Sequence, residues 1–142
     1  MRIVADTNVV LSALLWRGTP YRLFQAIRQH KQGQIFTSAF LIAELAEVLT
    51  RPSPVKRLAA IGRTARGVLA DYVAVIELVT PDLVPRVVMA DADDDHVIAA
   101  AVAAQAEVIV SGDRHLLELG THQGIRILTQ AQALERIGAG MS

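Results

Sequence analysis

The sequence predicts an α/β protein, a three-layer α/β/α sandwich around a mostly parallel sheet of about five strands. Short apolar runs of strand length alternate with stretches of helical periodicity in the order β-α-β-α-α-β-α-β-α-β-α, the pattern of repeated crossover units. Runs such as Ile3-Val4-Ala5 and Val108-Ile109-Val110 lack the polar alternation of a half-solvated sheet, as strands covered on both faces do. The 142 residues show no internal repeat, low-complexity tract or linker, so one domain spanning residues 1–142 is expected. A fold of that length buries roughly 68–70% of the surface its unfolded chain exposes.

Taken in order, Arg2 to Ala5 is a strand that ends on Asp6-Thr7-Asn8 and delivers polar groups at its carboxyl end. Val9 to Trp16 predicts a buried first helix, broken by Arg17-Gly18. Thr19 as N-cap and Pro20 at the first helical position start a second helix, Tyr21 to about His30, with Leu23, Phe24 and Ile27 inward. Gln34 to Thr37 is the second strand, and Ser38 caps a helix whose Leu41, Leu45, Val48 and Leu49 form a buried stripe. Glu44 sits among those apolar neighbours, off any obviously solvated face. Pro52 ends that helix, Ser53-Pro54 starts another, and Gly62 or Gly67 punctuates a helical hairpin running to about Val73.

Val75 to Val79 is the third strand, closed by Pro81, and Pro85 marks a loop. An acidic helix follows from about Asp93 to Ala106, with Val97, Ile98, Ala101, Val102 and Gln105 on one face. Val108 to Val110 is the fourth strand, Asp113 caps a short helix through Leu119, and Ile125 to Leu128 is the fifth strand. Thr129 and Gln132 make a capping box for the last helix.

Zero net charge conceals a strong asymmetry: residues 1–70 hold ten basic residues against three acids, and residues 71–142 hold four against eleven. That division suits a polyanionic partner or a grouped cation site, against the plain alternative of segregated solvated faces. With no cysteine, thiolate metal sites are excluded, and four scattered histidines argue against an imidazole zinc site, so any metal is expected to be held by oxygen. The first apolar run contains Asp6 and Asn8 and lacks a basic leader, and no run approaches the ~18–20 residues of a membrane span. A soluble, cytoplasmic protein without a membrane partner is expected.

In sheets of this kind ligands bind beyond the carboxyl ends of the strands, at a topological switch point. Four acids are expected to gather there: Asp6, Glu44, Asp95 at the head of the acidic helix, and Asp113. Each taken singly is ordinary, since Asp6 and Asp113 suit caps or turns, Asp91 and Asp93 suit a loop or first turn, and Asp94 suits either role. Together they are more specific. Two unit charges at 4 Å repel by about 4 kcal/mol at an effective dielectric of 20, so such a cluster takes up protons or a metal. All-oxygen ligation selects Mg²⁺ or Mn²⁺. The arrangement suits phosphodiester hydrolysis, in which a metal polarises the phosphoryl oxygen and no covalent nucleophile is needed. Thr7, Asn8 and Ser111 offer short polar side chains to orient the carboxylates.

The residues Asp6-Thr7-Asn8-Val9-Val10 with Ser12 to Leu15, Glu44-Leu45 with Val48-Leu49 and Arg51-Pro52, Asp91 to Asp95 with Ala99 to Ala101, and Val110-Ser111-Gly112-Asp113-Arg114-His115-Leu116-Leu117 follow one another in this order. On these motifs the chain resembles the PIN-domain ribonucleases, especially the VapC-like toxin components of type II toxin–antitoxin systems. The resemblance implies a Mg²⁺- or Mn²⁺-dependent endoribonuclease with Asp6, Glu44, Asp95 and Asp113 as the acidic quartet and Ser111 as its supporting hydroxyl. Where many relatives carry a further acid this chain has His115, which is left out of the metal set. It further implies an RNA substrate, a cognate antitoxin and, commonly, a homodimer. The basic residues Arg51, Lys56, Arg57, Arg63 and Arg66 would then serve RNA or the antitoxin. Trp16, Phe24 and Phe40 are aromatic candidates for a dimer interface, with core burial as the competing fate of each.

Two rival readings remain. A phosphomonoesterase with a covalent aspartate of the haloacid-dehalogenase kind wants a second Asp two residues after Asp6, where Asn8 stands. The other is a catalytically inactive PIN-like module that binds RNA or protein.

Overall fold

The computed structural model describes residues 1–30, 33–84, 86–88 and 92–138. Lys31, Pro85 and Asp91, counted above among the basic, loop and acidic positions, lie outside the described residues. Six strands form one sheet: β1 (Arg2–Ala5), β2 (Gln34–Ser38), β3 (Glu77–Val79), β4 (Val108–Val110), β5 (Thr121–His122) and β6 (Ile125–Leu128). Their spatial order is β3-β2-β1-β4-β6-β5, parallel everywhere except at the β5–β6 pair. The chain builds outward from β1 through β2 to β3, then returns to the other side of β1 with β4. β1 and β4 therefore flank the switch point, where the crossovers diverge and leave a crevice.

Eight helices are described: α1 (Thr7–Leu15), α2 (Thr19–Gln29), α3 (Ala39–Val48), α4 (Pro52–Ala60), α5 (Ala65–Val73), α6 (Ala92–Ala103), α7 (Arg114–Leu119) and α8 (Gln130–Gly138). Successive strand residues point to opposite faces, and the two cores follow that alternation. Ile3, Ala5, Val108, Val110 and Leu128 join a core built with α1, α2, α5 and α8, while Val4, Ile109 and Ile127 join one built with α6 and α7. Helix α3 serves both, with Leu45 and Leu49 in the first and Leu41 in the second. On α2, Leu23 and Ile27 are fully buried, and each such side chain stabilises the fold by roughly 1.5–3 kcal/mol.

Several expectations need adjustment. The N-cap of α2 is Gly18, and Thr19 lies inside the helix with its hydroxyl accepting from Arg22. Pro52 opens α4 and does not close α3, which has already ended at Val48. Gly62, at φ +66°, breaks the helical hairpin, whereas Gly67 lies within α5. β3 is shorter than expected and forms an edge, with Leu78 exposed. Helix α6 stops at Ala103, leaving Val102 exposed and Gln105 in a left-handed turn. A sixth strand is added by the hairpin β5–β6, whose two-residue turn has both Gln123 (φ +50°) and Gly124 (φ +81°) at positive φ. Among the aromatic residues, Phe24 is buried and stacks on Tyr72, but Trp16 and Phe40 are exposed, Phe40 lying against the His96 ring. No helix among the described residues is long and apolar enough to cross a membrane.

Candidate active site

Buried polar side chains cost free energy unless they are paired, so their location is informative. Those described are Asp6, Thr7, Thr37, Ser38, Asp94, Asp95 and Ser111, all at the carboxyl ends of β1, β2 and β4 or in the first turns of α1 and α6. Parallel pairing of β1 with β4 brings Asp6 beside Ser111, and the Asp6 amide donates to the Val110 carbonyl at 2.9 Å.

Asp6 caps α1, its Oδ1 accepting from the Thr7 amide at 2.7 Å, while Oδ2 accepts from the Ser111 hydroxyl at 2.8 Å. The same Ser111 Oγ accepts the Asp113 amide at 2.9 Å. One fully buried hydroxyl thus spaces two acids contributed by different strands. Asp113 in turn caps α7, accepting from the amides of His115 (2.8 Å) and Leu116 (3.2 Å) through Oδ1. Across the crevice the Thr7 hydroxyl donates to Oε1 of Glu44 on α3. Burial pushes the Glu44 carboxyl above the ordinary glutamate range; the Thr7 bond opposes the rise, and the charges of Asp93 and Asp6 add to it.

Asp6, Thr7, Glu44 and Asp113 line a cleft of about 240 Å³ with Asn8, Val48, Arg51, Asp93 and Asp94, and Ser111 lies buried behind them. Three larger hollows, about 310, 470 and 530 Å³, lie elsewhere and hold at most one acid each. Chemistry, and not volume, singles out the smaller one. Its carboxylate and hydroxyl oxygens fit a hard divalent cation, and burial, with a smaller addition from the charges of Asp93 and Asp6, raises the Glu44 carboxyl. Among the described residues, however, no group of three or more acids or imidazoles is arranged to hold a metal outright.

Asp95, expected as the fourth acid, is placed apart from the cleft. It is 1% exposed and does not line the cleft. Its Oδ1 accepts from the amides of Val87 (2.8 Å) and Val88 (2.6 Å), and Oδ2 lies 2.7 Å from Arg86 Nε. Burial alone would raise its pKa, but the two amides and the Arg86 guanidinium together hold it below the ordinary aspartate range. The α6 acids facing the cleft are Asp93, expected in a loop or first turn, and Asp94, for which the sequence left both roles open. Helical phase did not separate the three, because α6 is buried on nearly every side, from Asp94 and Asp95 through Ala101.

The five basic candidates do not form one patch. Arg51 lines the acidic cleft and pairs with Glu47 at 3.0 Å. Arg57 and Arg63 instead line the 530 Å³ hollow at the far end of α1, where Arg63 is paired with Asp71. Lys56 and Arg66 are exposed and line neither space. Sequence reasoning missed Arg17 and Tyr21 in that same hollow, although aromatic and basic residues close together at 16–22 were a visible signal.

Residues 2–115 match the family profile described as "PIN domain". The chain belongs to the PIN-domain family. PIN domains are a superfamily of nucleases, and the six-stranded, mostly parallel sheet with its flanking helices is consistent with the PIN-like sandwich. The crystal structure of PAE2754 from Pyrobaculum aerophilum is similar over 98% of this chain and 90% of that one, with a TM-score of 0.63 and 17% sequence identity. At that identity the likeness speaks for the PIN fold alone. No curated protein matches the sequence.

Proposed function

We propose that residues 1–142 act as one PIN-like nuclease domain that hydrolyses RNA phosphodiester bonds with Mg²⁺ or Mn²⁺. The observation that carries this reading is the cleft lined by Asp6, Glu44, Asp93, Asp94 and Asp113 at the switch point of the sheet. Asp6, Glu44, Asp113 and the Asp93/Asp94 pair would hold the ion. A divalent ion supplies positive charge and Lewis-acid polarisation of a phosphoryl group. The chain's own residues set the geometry. Ser111 spaces Asp6 from Asp113, and Thr7 aims Glu44. Arg51, in the lining of the cleft, presents a guanidinium to a phosphate. Asn8, exposed in the same lining, can hydrogen-bond substrate or water.

A role as the toxin of a toxin–antitoxin pair, with a cognate antitoxin and a homodimer, extends the proposal; the motif resemblance supports it. Co-purification with the product of a neighbouring reading frame tests the pairing. A second reading, a PIN-like module that binds RNA or protein without turnover, is favoured by the acids among the described residues not being arranged to hold a metal outright.

Cleavage of RNA by purified protein, with Asp6→Asn and Asp113→Asn as comparisons, decides between them. Asparagine keeps the capping oxygen at both positions, so the fold is retained while cleavage falls to background. Equal cleavage by wild type and both variants overturns the site, and absence of Mn²⁺-dependent cleavage by the wild type leaves the binding module.

A further inference from the structure

The 530 Å³ hollow lies where α1 ends and α2 begins, with α4 as its far wall. Two arginine–aromatic pairs form its rim. The Arg17 guanidinium lies 5.0 Å over the Tyr21 ring and donates to the Tyr21 hydroxyl at 3.1 Å. The Arg57 guanidinium lies 5.5 Å from the Trp16 ring, and its Nε donates at 2.8 Å to the carbonyl of Leu15, the last residue of α1. Arg63 is matched by Asp71, but neither Arg17 nor Arg57 has a carboxylate partner among the described residues. Trp16 remains 40% exposed. Two unneutralised guanidiniums, each already packed on a ring, beside a large exposed aromatic surface are arranged for a ligand that is anionic and planar. Because the arginines are already held, little side-chain freedom is lost when that ligand binds.

We propose that this hollow is an RNA exosite that holds a single-stranded nucleotide away from the acids. The base stacks on Trp16, and its flanking phosphates meet Arg17 and Arg57. The inference rests on the nuclease reading for its substrate, though not for its binding. Helix α1 has nine residues and spans about 13 Å, with Asp6 at its start and this hollow at its end. A strand seated here therefore runs along α1 and delivers a phosphodiester a short distance away to the acidic cleft. An acidic peptide would satisfy the arginines but would leave the rings without a planar partner, so nucleic acid fits the chemistry better.

Trp16 is the sole tryptophan of the chain, so its emission reports on this hollow alone. The experiment titrates full-length protein in EDTA with a short single-stranded RNA, and in parallel with poly-glutamate of equal charge. RNA is expected to quench Trp16 saturably. Arg17→Gln should weaken the RNA roughly tenfold, as loss of one stacking or phosphate contact does, with an unchanged melting temperature. Arg57→Gln should weaken the RNA similarly, with a lowered melting temperature because its bond to the Leu15 carbonyl is lost, and Arg57→Lys, which keeps the charge, should recover part of the affinity. In cleavage assays Arg17→Gln should raise KM about tenfold with kcat unchanged. RNA that binds without changing Trp16 emission, or equal quenching by poly-glutamate, overturns the exosite. Cleavage without quenching refutes this inference and leaves the nuclease standing; quenching without cleavage supports the exosite and removes the nuclease.

Discussion

Replacing Asp95 separates the structural acid of α6 from those that face the cleft. Its carboxylate holds the amides of Val87 and Val88, and the Val88 side chain is buried in the α6 core, so this aspartate fastens the incoming segment to the head of the helix. Asp95→Ala leaves two amides without an acceptor, each worth about 1–3 kcal/mol when desolvated. The Arg86 side chain is 53% exposed and recovers water, so loss of the ion pair itself adds about 0–1 kcal/mol. The expected destabilisation is about 3 kcal/mol. Asp95→Asn, which retains an accepting oxygen, should lose about 1–2 kcal/mol. Urea unfolding measures these values, and RNA cleavage well below the midpoint should remain near wild type. Because the folded-state pKa of Asp95 is depressed, its contribution is complete above the ordinary aspartate range and is lost as pH falls through the folded value. The stability gap between wild type and Asp95→Asn should therefore close on acidification and stay open at neutral pH. Asp94→Asn is the counterpart, expected to abolish cleavage with little loss of stability. An Asp95→Ala protein that unfolds within about 0.5 kcal/mol of wild type yet fails to cleave RNA would refute the assignment.

Two further outcomes follow from the site. Mn²⁺ should raise the melting temperature by mass action, with stabilisation approaching about 2.7 kcal/mol at a hundredfold excess over Kd; Asp6→Asn should flatten the response, and a flat response in the wild type would argue against a cation in the cleft. Ser111→Ala removes the hydroxyl shared by Asp6 and the Asp113 amide at a fully buried position. It should cost about 1–3 kcal/mol in urea unfolding and lower kcat more than it raises KM, whereas unaltered kcat would show that the spacing of these two acids does not matter.

The strands nearest the site were legible because they are short, unbroken apolar runs ending in polar residues, and the Ser38, Asp113 and Thr129–Gln132 caps were legible from local chemistry. The β5–β6 hairpin was not, since two residues give no periodicity and Gln123-Gly124 is a weaker turn signal than Asn-Gly. Asp6, Glu44 and Asp113 could be singled out because each stands at a strand end or among apolar neighbours. Choosing among Asp93, Asp94 and Asp95 required knowing where residues 86–88 lie, a tertiary fact that no spacing along the helix encodes. The basic residues from Arg51 to Arg66 looked like one surface because they are close in sequence, but Arg51 lines the acidic cleft, Arg57 and Arg63 line the hollow at the far end of α1, and Lys56 and Arg66 line neither.

The hydrogen bond from Ser111 to Asp6 joins positions 105 residues apart. β1 is made first, but its central neighbour β4 and the last acid of the cleft come only after residue 107. Closing so long a loop is slow and entropically costly until the partner strand exists. During synthesis the amino-terminal part of the sheet can collect while the carboxylate cluster is still incomplete. A chain that stalls or is truncated before β4 therefore carries Asp6 and Glu44 without Ser111 or Asp113. If this domain cuts RNA, its translation products stay harmless to the messenger and ribosome that make them until β4 and Asp113 have been made.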